Sequence, residues 1–312
     1  MIIIILLFIL LIYLYFSRTN NKQKIKLIIR LPNWIGDTLM TYPLLLALQK
    51  SNIDFICIGH PWAKNLFSGT NLRIISSPKI KNPYWCYQIY KKYNFEYGLL
   101  CTNSLSTILP MSFNGIKTIG FHSLSKIKIP YNQNSHTVQN YYDLSKYFNN
   151  QFTLEDCSNK IPISSESQRK GQEIIDQQIK ENQYIVICPY ATNLHKGKNK
   201  EWPYWKQFCS EFKKYKIVAL VSPNDYSRCL EDFPNITVIS TNLAVSAYIM
   251  KQAKYVLAND SGAMHLASFF GARVIGLFGA TEINKTRPWY GKYLIGEDNN
   301  FINYEFLIKY IS

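Results

Sequence analysis

Short apolar runs alternate with stretches of helical spacing along most of this chain. In the first half the runs fall near 25–30 (IKLIIR), 53–58 (IDFICI), 72–75, 95–101 (FEYGLLC) and 117–121, each predicted as a buried strand with helices between them. HTVQNYYDLSKYF, from His136 to Phe148, has helical apolar spacing and is expected to close this half. The polar segment SNKIPISSESQRKG reads as a linker with its boundary near Ser165. Beyond it, strands are predicted near 184–188 (YIVIC), 216–222 (KIVALVS), 236–239 (ITVI), 254–258 and 273–278 (RVIGLF). Helices are expected after Pro203, around 225–231 and 243–252, and from Ser261 onward. Strand–helix alternation in both halves predicts two doubly wound α/β domains, over 24–165 and 166–312, with ligands in the cleft between them at the carboxyl ends of the strands.

The N-terminus departs from this pattern. MIIIILLFILLIYLYF is an uncharged apolar run followed by Arg18, Lys22, Lys24 and Lys26. It lacks a basic segment ahead of the apolar one and a small-residue cleavage site, which disfavours a removable signal peptide. Residues 1–17 are therefore expected to form a membrane anchor. Positive charge on the C-terminal flank alone predicts an outside N-terminus and a body facing the cytoplasm at the inner membrane. The run is slightly shorter than the ~20 residues of a comfortable span, so a tail lying in one leaflet is the alternative.

Composition narrows the partners. With 47% hydrophobic and 18% charged residues the chain is globular, and a net charge of +15 favours anionic partners. Nucleic acid is disfavoured, because none of the common recognition signatures occurs; an acidic glycolipid and a membrane surface fit better. Seven dispersed cysteines with no C-x-x-C pair predict reduced thiols, and five well-separated histidines predict no structural zinc.

The candidate chemistry concentrates in KYVLANDSGAMHLASFFGARVIGLFG, residues 254–279, where a strand runs through Asn259-Asp260-Ser261-Gly262 into an apolar helix. A cap at Asp260 is expected to leave the amides of Ser261, Gly262 and Ala263 open to an anion at the helix N-terminus. Gly262 would let a diphosphate approach the backbone. His265, one turn in, is placed to donate a hydrogen bond at the same mouth. The alternative is an ordinary capped helix with a partly buried histidine.

Two further segments decide between these. Gly36-Asp37, within RLPNWIGDTLMTYPLL, resembles the N-terminal G-D-x-x-x-x-x-P-L signature of the lipopolysaccharide heptosyltransferases, glycosyltransferase family 9. Pro189-Tyr190-Ala191 followed by Lys200-Glu201-Trp202-Pro203 is similar to that family's P-x-A…K-x-W-P loop, and NDSGAMH to its N-D-S-G-x-M-H block. The resemblance implies a GT-B fold: two Rossmann-like domains facing a cleft, with a C-terminal helix returning towards the first domain. It implies transfer from a nucleotide sugar, ADP-heptose foremost, onto a lipopolysaccharide inner-core acceptor.

On these positions Asp37 becomes the expected general base for the acceptor hydroxyl; its alternative is an N-cap carboxylate. Pro43 is expected to interrupt the helix that follows. Lys200 and Thr192 are expected at the donor diphosphate with Asp260, Ser261, Gly262 and His265. The basic loop ATNLHKGKNKEW leaves Lys196 and Lys198 as competitors for Lys200. Trp202 is expected to pack the domain. No Asp-x-Asp triplet occurs, so helix amides and Lys200 are expected to stabilise the leaving group without a metal or other cofactor. A single base with no activated nucleophile favours direct displacement and inversion. The rival readings are transfer of another sugar or to another glycolipid, a non-catalytic membrane scaffold, and an oxidoreductase. The oxidoreductase is weakest because L-P-N-W-I-G-D stands where G-x-G-x-x-G is needed. The sequence leaves the oligomeric state undetermined.

Overall fold

The computed structural model describes residues 27–191, 199–279 and 281–312. The expected anchor over 1–17, and Thr192, Lys196 and Lys198, lie outside the described residues.

The first half runs β1 (Leu27–Arg30), α1 (Ile35–Met40), α2 (Tyr42–Lys50), β2 (Phe55–Gly59), α3 (Pro61–Leu66), β3 (Ile74–Ser76), α4 (Pro83–Tyr93), β4 (Tyr97–Leu100), α5 (Leu105–Ser112), β5 (Lys117–Gly120), β6 (Ile127–Lys128) and α6 (Thr137–Asp143). Its strands form one parallel sheet in the order β3-β2-β1-β4-β5-β6. The second half continues with α7 (Ser165–Ile174), β7 (Tyr184–Cys188), α8 (Trp205–Glu211), β8 (Lys216–Leu220), α9 (Tyr226–Asp232), β9 (Thr237–Ile239), α10 (Leu243–Gln252), β10 (Tyr255–Asn259), α11 (Gly262–Phe270), β11 (Val274–Phe278), α12 (Ile283–Thr286), β12 (Lys292–Ile295) and α13 (Tyr304–Ile311). Its sheet is also parallel, in the order β12-β11-β10-β7-β8-β9.

The inner strands are the continuous apolar runs seen in the sequence, because a strand with helices on both faces buries every side chain. LIIR of β1 and YIVIC of β7 are buried throughout. The two strands that the sequence did not reveal are edges. β6 has two residues and β12 is KYLI with two exposed positions, so neither carries an apolar run.

Three departures have local causes. The segment expected as one helix after Asp37 is broken at Thr41 into α1 and α2, with Pro43, which has no N–H to donate, in the first turn of α2. The stretch after His136 is α6 extended by a 3-10 turn over Leu144–Tyr147. The terminal helix α13 does not return towards the first half. It packs on α8, where Leu307 and Ile311 join the core around Trp202, Trp205 and Phe208.

Each sheet reverses its strand order once beside its middle, at β1/β4 and at β7/β10, and in doubly wound sheets such points open a crevice at the carboxyl ends. The helix that follows β1, the chain leaving β7 and the helix that follows β10 all start there. α1 and α11 pack against each other, so the two crevices face. One apolar core spans both halves through this contact, from Leu39 and Leu44 to Ala267 and Phe269.

Candidate active site

The mouth of α11 is built by Ser261, not Asp260, and the expected cap is corrected accordingly. Ser261 is extended (φ −147°, ψ 173°) and the helix starts at Gly262. The first amide to close the helix is that of His265, on the Ser261 carbonyl at 3.4 Å. The amides ahead of it are the unpaired set of a helix start, and the positive end of the dipole adds to them. The Ser261 hydroxyl makes no capping bond; its Oγ is buried with no partner among the described residues, as is Nδ1 of His265. Leaving such groups unmade is costly, and a ligand that fills the mouth would satisfy them.

Asp260 is released from capping and engages Lys200 instead. Lys200 Nζ lies 3.1 Å from Asp260 Oδ2 and 3.4 Å from its backbone carbonyl. Asn259, the last residue of β10, fixes both ends of the intervening segment. Its Nδ2 donates to the Pro189 carbonyl at 2.8 Å, while its Oδ1 accepts from the Trp202 amide at 2.9 Å and from Trp205 Nε1 at 3.2 Å. Glu201 accepts from the Ala191 amide at 3.3 Å and pairs with Arg228 at 2.9 Å. Trp202 is buried, with its Nε1 on the Ile302 carbonyl at 2.8 Å, so it packs the domain as expected.

Across the cleft, Asp37 sits in the first turn of α1, whose cap is Trp34, so the N-cap alternative for Asp37 fails. Its Oδ1 accepts a hydrogen bond from the Tyr141 hydroxyl on α6 at 3.3 Å. Burial raises the Asp37 pKa above the ordinary carboxylate range. The Tyr141 bond and the Lys200 charge pull it back, while Asp260 pushes it further up. Burial also lowers the His265 pKa to about 4, leaving a neutral imidazole at pH 7.

The structure thus brings Asp37, Lys200, Asp260, Ser261, Gly262 and His265 to one place. Gly262 faces the other half: a Cβ there would meet Ile35 Cβ at 3.4 Å and the Gly36 amide nitrogen at 3.7 Å. Tyr141 and Asn259 were missed as contributors. Tyr141 lies 104 residues from Asp37 with no local signal, and Asn259 was readable only as part of a motif. Among the described residues there is no group of three or more His, Cys, Asp or Glu able to hold a metal ion. All seven cysteines are free thiols, six of them buried. No helix among the described residues is long and apolar enough to cross a membrane.

Two parallel six-stranded sheets with facing crevices and a helix mouth on the second side are the architecture of the GT-B fold. The chain belongs to glycosyltransferase family 9 (heptosyltransferase), whose model matches residues 89–300, a span that includes the Lys200 and Asp260 segments and begins after Asp37. Among solved structures it is similar to the ADP-heptose lipopolysaccharide heptosyltransferase II of E. coli, at 18% identity and TM-score 0.74, covering 91% of this chain and 96% of that one. A family 9 glycosyltransferase of Veillonella parvula matches at 15% identity and TM-score 0.77, covering 91% and 95%. The E. coli heptosyltransferase WaaC with ADP matches at 16% and 0.71, covering 92% and 98%. No curated protein matches the chain by sequence.

Proposed function

We propose that this glycosyltransferase moves a heptose from ADP-heptose onto the acidic inner core of a lipopolysaccharide acceptor, with inversion and without a metal ion. The observation that carries this is the placement of Asp37, a half-buried carboxylate held by the Tyr141 hydroxyl, opposite the α11 mouth and the Lys200–Asp260 pair. The acceptor oxygen attacks the anomeric carbon as its proton passes to Asp37, and the bond to the diphosphate breaks with its electron pair on the phosphate oxygen. Lys200 and the first amides of α11 stabilise that charge. A base on one side and a leaving group on the other suit one in-line displacement, hence inversion. Asp260 is a positioning residue that aims the Lys200 ammonium, since a carboxylate cannot itself bind a diphosphate. ADP and a fluorinated ADP-heptose accompany WaaC in its solved structures, which supports the choice of donor. The N-terminal apolar run would hold the protein at the inner membrane, facing the cytoplasm, near its glycolipid.

The test is transfer by the purified full-length protein from ADP-heptose to a Kdo-bearing lipid acceptor, with the product's anomeric configuration read by NMR and the rate measured with and without chelator. A retained configuration, or a rate abolished by chelator and restored by magnesium, refutes the mechanism. Transfer from other nucleotide sugars only refutes the donor.

A further inference from the structure

The first sheet is covered unequally. One face carries α1, α2, α3 and α6 and joins the core shared with the second half; the other carries only α4 and α5, over a separate core of Ile28, Ile58, Tyr90, Ile108 and Met111. The two helices pack side by side as an outer layer. Ile108 and Met111 turn α5 inwards, so its opposite side is expected to be polar. Instead Leu105, Leu109 and Phe113, spaced four apart along α5 and the residue that caps it, are 50%, 40% and 74% exposed, and Tyr84 on α4 is 71% exposed. Scattered exposed leucines need no explanation, whereas a continuous stripe along one helix marks an interaction surface.

Charge identifies what it meets. Between Pro78 and Phe113, the stretch that holds both helices, there are four lysines and a single acid, Glu96. Lys91 and Lys92 stand exposed in the last turn of α4, and Lys79 and Lys81 precede its start. A second copy of the chain would bring the same cations face to face, which disfavours self-association here. Apolar side chains among basic ones suit an anionic lipid surface. β1, β4 and β5 are in register at Leu27, Tyr97 and Lys117, so Phe113 lies at the end of the sheet where β1 begins.

We propose that the outer face of α4 and α5 docks on an anionic lipid bilayer, with Leu105, Leu109 and Phe113 entering the interface and the lysines at the headgroups. This is a contact of the folded body, separate from the N-terminal run and independent of the transfer reaction.

The experiment uses the full-length protein in phosphatidylethanolamine–phosphatidylglycerol vesicles with brominated acyl chains, which quench tryptophan that enters the bilayer. Phe113→Trp is compared with Tyr226→Trp, an exposed position on α9 of the second half, each relative to the parent protein. The tryptophan added at 113 should be quenched roughly twofold or more beyond that at 226, as for a side chain sunk 5–10 Å into the interface. Lys91→Glu with Lys92→Glu should reduce the difference. Equal quenching at both positions in vesicle-bound protein overturns the proposal. So does a self-association that Phe113→Glu abolishes, because the stripe would then be covered by a second copy. Both readouts are independent of donor, acceptor and turnover.

Discussion

The ring of His265 lies where a side chain on Gly36 would have to be: a Cβ at Gly36 would sit 2.7 Å from His265 Cδ2. The glycine ahead of Asp37 is thereby explained by the helix on the far side of the cleft. Its φ is not in the left-handed region, so the need is for space. It allows α1 and α11 to approach until the carboxylate and the helix mouth face each other.

Gly36→Ala should therefore destabilise the protein by about 1–3 kcal/mol, as overpacking of a close contact does. Pairing it with His265→Ala should recover part of that loss. Urea unfolding of the two single variants and the double variant measures the coupling; strict additivity would deny the contact.

Gly262 makes a looser approach, and the expected outcome differs by size. Gly262→Ala meets Ile35 at an ordinary contact distance and should be tolerated, while Gly262→Val should push α1 away and weaken both stability and donor affinity. Nucleotide binding by calorimetry separates the two; equal behaviour would count against it.

Asp37→Asn keeps the shape and removes the base. It should lower kcat about 10²–10⁴-fold while changing donor affinity little. Because burial raises the Asp37 pKa and the base acts ionised, the rate should fall as pH drops through a value above that of an ordinary carboxylate. Tyr141→Phe removes a bond that stabilises the ionised form, so the acid limb should move to still higher pH. Rate profiles that superimpose for wild type and Tyr141→Phe would remove Tyr141 from this role.

Lys200→Ala should weaken binding of a nucleoside diphosphate about 10–100-fold, the value of one or two charge-assisted contacts. It should also strand the buried Asp260 carboxylate, so adding Asp260→Asn should restore stability but not affinity. Recovery of affinity in the double variant would mean that Lys200 serves the fold alone.

His265 makes folding sensitive to acid. Its folded pKa is about 4, against ~6.5 in an unfolded chain, so below 6.5 only the unfolded state takes up the proton. Stability is complete above pH 6.5 and is lost as pH falls towards 4, by on the order of 3 kcal/mol. His265→Gln should flatten that part of the curve. Melting temperatures of both proteins from pH 7 to pH 4 make the comparison, and parallel curves would refute it.

Features set by neighbours along the chain were legible before any tertiary contact was known. Runs such as YIVIC and VIGLF read as inner strands because nothing polar interrupts them, and Pro43 cannot sit in the interior of a continuous helix wherever that helix lies. NDSGAMH likewise marks a strand-to-helix mouth from local spacing alone. The edge strands β6 and β12 escaped notice because an edge needs no apolar run. The cap lies at Ser261 because the helix starts at Gly262, and Asp260 pairs instead with Lys200, sixty residues away. Tertiary structure alone decided that Tyr141 holds Asp37, that Gly36 is a glycine on account of His265, and that α13 stays with α8. Each of these is a contact between segments far apart in sequence, set by which faces the two sheets bury. Leu105, Leu109 and Phe113 show the same limit from the other side: their four-residue spacing is visible in the chain, but only the packing of Ile108 and Met111 turns that stripe outward.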